Sequence, residues 1–248
     1  MKKIMLSVIV WAIIIFCAGT SIARTDVEKS LKANFPDLIY DSVTQSPVKG
    51  IYEVVWGNRL YYFAPKEGIL IVGQMFDKTK RDLTADRMQG VMAKFNENIA
   101  VKAKGLPLDK AVKTGQGKHV VIEFTDPDCP FCRQAAKFFE SRTDITKYTF
   151  FTPLPMHPDS PNKVRYILCQ KDRAKALDEV MKGKIDNQKY ETCKNAEVDD
   201  LIKLHESVGE TMGITSTPYF VIDGTVVSGA DIPRIQGLLG DKVTEGKP

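Results

Sequence analysis

The sequence predicts an α/β sandwich with an inserted helical segment, preceded by a small α+β sheet lobe and a connecting helix. Three observations predict it. From Lys118 onward the patterns run strand, helix, strand, helices, hairpin, helix. Residues 38–76 are instead rich in β-branched and aromatic residues punctuated by turn signals, as in a small antiparallel sheet. Between these regions Met88, Val91, Met92, Phe95 and Ile99 recur at helical spacing and form one apolar stripe.

The chain has 248 residues, 43% hydrophobic and 27% charged, which excludes disorder, collagen-like repeats and a multi-span membrane protein. A net charge of +4 is too mild for a nucleic-acid partner, and no basic run carries interleaved aromatics. The informative residues are the five cysteines, at 17, 129, 132, 169 and 193. That number is too small for a disulfide-dense miniprotein, and it is odd.

The first element accounts for the odd cysteine. Lys2 and Lys3 precede a mostly apolar run, Ile4 to Ala18, and Ser21 and Ala23 are small residues placed for a signal peptidase. The expectation is a secretory signal, residues 1–23, cut after Ala23. The alternative is a retained anchor, since residues 4–23 carry no charge. Bulky Phe16 before Cys17 argues against a lipoprotein. Cleavage removes Cys17 and, with Lys2 and Lys3, takes the charge from +4 to +2. Four cysteines then remain in a compartment that permits disulfides.

The next elements follow in order. Val27 to Phe35 has the spacing of a short helix closed by Pro36. Val48 to Trp56 and Arg59 to Ala64 flank Gly57-Asn58 and read as a hairpin, with Ile69 to Phe76 a further strand. A lobe of about 60 residues is marginal alone, so a partner subunit or packing on the rest of the chain is expected. Thr84 is placed to cap a helix running to about Ala103, with Gly105 and Pro107 as its stop. That helix is a linker or lies flat on a core. The expected divisions are 24–83 for the lobe, 84–105 for the linker and 106–248 for the main domain.

In the main domain His119 to Phe124 is a short buried strand, Thr125 to Asp128 a turn, and the Cys129 segment opens a helix. Tyr148 to Thr152 is a second strand. Helical patterns cover 163–170, 172–182 and 197–209. Tyr219 to Ile222 and Thr225 to Val227 flank Asp223-Gly224 as a hairpin, and Asp231 to Leu239 is the last helix.

The chemistry centres on Cys129-Pro130-Phe131-Cys132. At a helix start this spacing lets the sulfurs bond, leaves the first exposed and sets it at the positive end of the dipole. A thiolate there has a depressed pKa, attacks a disulfide and is resolved by the second cysteine. Pro130 suits the first turn. Phe131 adds no charge, so thiolate stabilisation is expected to be weaker than with a cation there. The alternatives are a structural disulfide and a metal half-site. Zinc normally takes four ligands, whereas Cys169 and Cys193 are widely spaced and His119, His157 and His205 are scattered. No metal or other cofactor is expected.

Three further positions matter. Glu123, if buried below the cysteine pair, has the chemistry to exchange a proton with Cys132; otherwise it is an exposed or salt-bridged strand residue. Thr217-Pro218, opening a strand, is a candidate cis bond that would let the Thr217 backbone meet an extended substrate; an ordinary trans proline is the alternative. Cys169 and Cys193 read as a structural bridge, with two free thiols or a regulatory pair as alternatives.

Glu123-Phe124, Cys129-Pro130-Phe131-Cys132 and Thr217-Pro218 resemble the motifs of the thioredoxin superfamily, which implies a thioredoxin-like catalytic domain and a cis Pro218. More narrowly, the chain is similar to the DsbC/DsbG family of periplasmic thiol-disulfide isomerases. The segments Leu168 to Asp172 and Asp178 to Lys184 carry that likeness around the first cysteine of a structural disulfide, with Cys193 in the second place. The resemblance implies a cystatin-like α+β N-terminal dimerisation domain, a V-shaped homodimer with a cleft for misfolded disulfide-containing proteins, chaperone activity and a periplasmic location. It also implies a membrane thiol reductase of the DsbD type as partner. Two features depart from the pattern. Pro130-Phe131 is nearer the Pro-Tyr of DsbG than the Gly-Tyr of DsbC, and DsbC lacks an acid at the Glu123 position. The expected activity is disulfide isomerisation at Cys129 and Cys132, assisted by Glu123, with Thr217, Pro218, Pro130 and Phe131 holding substrate. A DsbG-like reductase of oxidised, sulfenylated cysteines and a holdase chaperone with little redox activity are the other readings.

Overall fold

The chain divides into two compact units, the first reaching to Phe95 and the second starting at Asn96, within one long helix. The computed structural model describes residues 25–240; the expected signal, its cut after Ala23 and Cys17 lie outside them.

In the first unit a helix, α1, covers residues 25–34. Four strands follow: β1 (Ser42–Gln45), β2 (Tyr52–Trp56), β3 (Arg59–Ala64) and β4 (Ile69–Ile71). They form an antiparallel sheet in that order. Gly57, at φ 57, makes the tight β2–β3 turn that pairs Trp56 with Arg59. Strand alternation sorts the side chains. Val54 and Phe63 face Val27 and Leu31 of α1. Val55, Leu60 and Tyr62 face the other way, toward Val91 of α2 (Leu83–Ala103).

Within the first unit three expectations differ from what is found, and in the second the strand expected from Tyr148 starts at Ile145 and the helix expected from 163 starts at Ser160. The strand expected from Val48 starts at Tyr52, because residues 46–51 close a turn through Ile51 N–H to Val48 O, 3.1 Å. The strand expected to reach Phe76 ends at Ile71, and Phe76 makes only an isolated bridge to Asp82. Thr84 does not cap α2. Asp82 does, accepting from Ala85 N–H at 2.9 Å, while the Thr84 hydroxyl bonds the Tyr62 hydroxyl at 2.6 Å and accepts from Met75 N–H.

In the second unit the end of α2 buries Ile99 and Ala103, and Asn96 accepts from the Tyr219 hydroxyl at 2.6 Å. A 3₁₀ turn (Leu108–Lys110) leads into β5 (Val112–Gly115). Then come β6 (His119–Thr125), α3 (Pro130–Phe139), β7 (Ile145–Phe151), α4 (Ser160–Cys169), α5 (Arg173–Met181), α6 (Ala196–Met212), β8 (Tyr219–Ile222), β9 (Thr225–Ser228) and α7 (Ile232–Leu239). The sheet order is β5-β7-β6-β8-β9, with β6 and β7 parallel and the other pairs antiparallel. A helix must cross over between the parallel strands, and α3 is that helix.

Ala135 and Phe139 of α3 pack with Val121 and Phe220, together with Ile235 and Leu239 of α7, on one face of the sheet. On the other face Phe124 stacks on Phe150, and Phe150 meets His205 of α6. The helical insertion builds a second cluster, in which Val164, Ile167, Leu177 and Val180 surround Phe151 and both Cys129 and Cys132. The cysteine pair therefore sits where the sheet domain meets its insertion. Edge strand β5 escaped the sequence reading because Lys113, Thr114 and Gly115 carry no strand pattern.

Candidate active site

Strand β6 ends at Thr125, residues 126–128 turn, and Cys129 is the N-cap of α3 with Pro130 in its first turn. Pro130 costs the helix nothing there, because a first-turn N–H has no intrahelical partner. Cys129 N–H donates to Asp126 O at 3.1 Å, and Cys129 O accepts the first helical bond from Arg133 N–H at 3.1 Å. Cys129 and Cys132 are both free thiols.

Their environments push the two sulfurs apart. Cys129 is held down to about 5, chiefly by the Cys132 thiol beside it. Burial opposes this, and the Cys132 N–H, the Thr217 hydroxyl and the Phe131 N–H add to it. Cys132 is pushed up, first by burial and then by its bond to Cys129. Such a pair can present one sulfur as a thiolate near neutral pH while its neighbour keeps a proton. The expectation that the first sulfur is exposed is corrected: Cys129 is only 3% exposed. Its thiol lies 3.4 Å from the Thr217 carbonyl, beneath the loop of the Thr217-Pro218 bond, which is cis. What projects outward is Phe131, 60% exposed, beside exposed Pro130.

Glu123 is buried, 1% exposed, on β6. It pairs with Lys147 of β7 at 2.6 Å and accepts from the Thr149 hydroxyl at 3.2 Å, while its Oε1 has no partner among the described residues. It shares a strand face with Thr125, whose hydroxyl acts on the Cys132 sulfur. Cys169, at the end of α4, and Cys193, before α6, are bridged, with Cα atoms 5.7 Å apart. His205 is buried, and its hydrogen bonds go to the backbone and not to the sulfurs. Its Nδ1 accepts from Phe151 N–H at 3.1 Å and its Nε2 donates to Lys110 O at 3.0 Å.

Sequence reasoning missed two groups. Asp126 is fully buried and accepts from Leu154 N–H (2.7 Å), His157 Nδ1 (2.8 Å), the Ser160 hydroxyl (2.6 Å) and Asp128 N–H (2.8 Å). It welds the active turn to the loop before α4, and its own N–H donates to Cys132 Sγ at 3.5 Å. The second group is a charge network. Asp186 pairs with Arg133 of α3 and, at 2.6 Å, with Lys163 of α4; both cations also pair with Asp128, which precedes Cys129. Arg133 first, then Lys163, hold Asp186 down to about 2. A signal existed in the Asp126-Pro127-Asp128 run of acids beside the cysteines, but its partners are remote in sequence.

Residues 19–85 match the family described as the disulfide bond isomerase protein N-terminal domain, and residues 106–239, over half the chain, match a thioredoxin-like domain. The probable thiol:disulfide interchange protein DsbC of Bordetella avium is 33% identical over 214 residues, 85% of this chain and 72% of that protein. The chain belongs to the DsbC family. The Escherichia coli DsbC is 28% identical over 216 residues, covering 83% of this chain and 84% of that protein. A solved disulfide interchange protein from Neisseria gonorrhoeae is 37% identical, covers 54% of this chain and 96% of its own, and has a TM-score of 0.47. Membership in the DsbC family makes this a thiol:disulfide interchange protein, built as a small antiparallel domain, a long helix and a thioredoxin-like domain with a helical insertion.

Proposed function

We propose that this DsbC-family protein is a periplasmic, homodimeric disulfide isomerase whose chemistry begins at Cys129. The thiolate of Cys129 attacks a wrong substrate disulfide, and the mixed disulfide is released by another substrate thiol or by Cys132. Glu123 assists the proton traffic of Cys132. Thr217, Pro218, Pro130 and Phe131 hold the substrate chain, and the Cys169–Cys193 bridge braces the insertion. Residues 24–83 form the dimerisation domain, 84–105 the linker and 106–248 the catalytic domain. Export uses residues 1–23 with a cut after Ala23. Misfolded disulfide-containing proteins are the substrates, and a membrane thiol reductase of the DsbD type returns the pair to thiols.

The observation that carries this reading is the split between the two sulfurs: Cys129 held down to about 5, Cys132 pushed up. An ionised attacking sulfur with a protonated neighbour suits a protein that works on substrate disulfides in the dithiol form. Pro130-Phe131, nearer to DsbG than to DsbC, favours a second reading, a reductase of sulfenylated cysteines. Cys129→Ala should reduce recovery of a scrambled disulfide substrate to the uncatalysed rate. Undiminished recovery rejects the enzyme reading in favour of a holdase. Faster turnover of a sulfenylated protein than of the scrambled one supports the reductase.

A further inference from the structure

Thr125 closes β6 and is completely buried, yet its hydroxyl has no hydrogen-bond partner among the described residues. Its backbone is fixed, since Thr125 O accepts from Thr152 N–H at 2.8 Å. Alternation along β6 puts its side chain on the face of Val121 and Glu123, the face that α3 covers. Cys132 is in the first turn of α3, also completely buried, and its sulfur is 3.5 Å from the N–H of the next residue, Asp126. Strand alternation and the neighbouring Asp126 N–H contact thus put the hydroxyl on the side of the strand end where the Cys132 sulfur is buried, and a thiol is a poor acceptor where a thiolate is a strong one. The influence of the Thr125 hydroxyl on that sulfur opposes the effect of burial, as does that of the Thr217 hydroxyl, which is likewise buried and without a hydrogen-bond partner among the described residues. An unsatisfied buried donor is unfavourable. A hydroxyl that gained its acceptor only when charge developed on the sulfur would be the arrangement that stabilises a reacting anion.

We propose that the Thr125 hydroxyl donates to the Cys132 thiolate and sets how often a mixed disulfide is closed by Cys132 rather than passed to a substrate thiol. The proposal rests on the reading of Cys132 as the resolving thiol. In the closing step the Cys132 thiolate attacks Cys129 Sγ. The bond between Cys129 and the substrate sulfur breaks, the Cys129–Cys132 bond forms, and the substrate sulfur leaves as a thiolate that takes up the proton Cys132 gave. The cysteine pair loses two electrons and the substrate disulfide gains them. Without the hydroxyl the attacking thiolate is scarcer, the mixed disulfide persists, and more substrate is shuffled than reduced.

The test uses the mature full-length protein, reduced, with a fluorescent peptide disulfide, and follows the mixed disulfide by rapid mixing and acid trapping. T125V and T125A should close it roughly ten- to a hundredfold more slowly, the range for a lost hydrogen bond to a charged group. T125S should restore the rate. The titration midpoint of Cys129, read in a Cys132→Ala background, should not move with T125V. Closing at the unmodified rate in T125V or T125A overturns the proposal, as does T125S closing as slowly as T125V or a Cys129 midpoint that moves. Failure of Cys132→Ala itself to accumulate the mixed disulfide removes the resolving role of Cys132, and with it the basis for Thr125.

Discussion

At the scale of single residues, buried charge decides the behaviour. Removing Lys147 takes from the buried Glu123 its ion-pair partner, so Lys147→Met should destabilise the protein by about 3–5 kcal/mol. Adding Glu123→Leu should recover much of that loss, as urea unfolding of the single and double variants will show. His205 gives a second prediction. Burial lowers it to about 4, from an ordinary value of 6.5. The unfolded chain therefore binds the proton first, and stability present above pH 6.5 is lost as pH falls toward 4, by about 3 kcal/mol in all. His205→Gln should flatten urea midpoints between pH 7 and 4.5; an unchanged slope contradicts it. Acidification below that window removes a further contribution, because Asp186 is held down and its ion pairs fail only as pH falls toward 2. Local spacing made the cysteine pair legible in the sequence, whereas the cis bond at Pro218 came from the family resemblance. The sequence left Glu123 open, because the burial of a strand residue depends on register with strands far along the chain. Asp126 looked like a turn residue for the same reason, since Leu154, His157 and Ser160 reach it from across the fold.

At the scale of elements, the active helix is held by its neighbours as much as by its own sequence. Asp186, in the segment after α5, ties α3 to α4 through Arg133 and Lys163, and the Cys169–Cys193 bridge ties the end of α4 to the segment before α6. Closing a loop of 24 residues constrains the unfolded chain, which the chain-entropy model puts at roughly 3 kcal/mol. Cys169→Ala with Cys193→Ala should lose about that much in denaturant unfolding, while the Cys129 thiol still titrates. Elements with local punctuation were readable: Asp223-Gly224 turns β8 into β9, and the stripe on α2 marks its buried side. Strands β1 and β5 were not, because each has four residues and neither has a turn dipeptide between alternating apolar positions. The Thr84 cap failed because a threonine near a helix start is equally suited to a buried tertiary bond, here with Tyr62.

At the scale of the whole molecule, the five cysteines divide by chemistry. Cys17 lies in the expected signal, Cys129 and Cys132 carry the thiols, and Cys169 and Cys193 are bridged. The first unit is small and leaves Ile69 and Val72 exposed at and beyond its last strand, and the proposed dimer is tested apart from the chemistry. Sedimentation of the mature protein should give the mass of two subunits; a monomer at micromolar concentration contradicts the dimer. Independently of the assembly, the proposed chemistry requires Cys129 to be an ionised nucleophile at neutral pH beside a protonated Cys132. Thiolate absorbance at 240 nm, followed in the reduced protein from acid to alkali, measures this directly. One thiolate should appear with a midpoint near 5, and Cys129→Ala should abolish that step. A first midpoint at or above the ordinary cysteine range, about 8.5, would contradict the account.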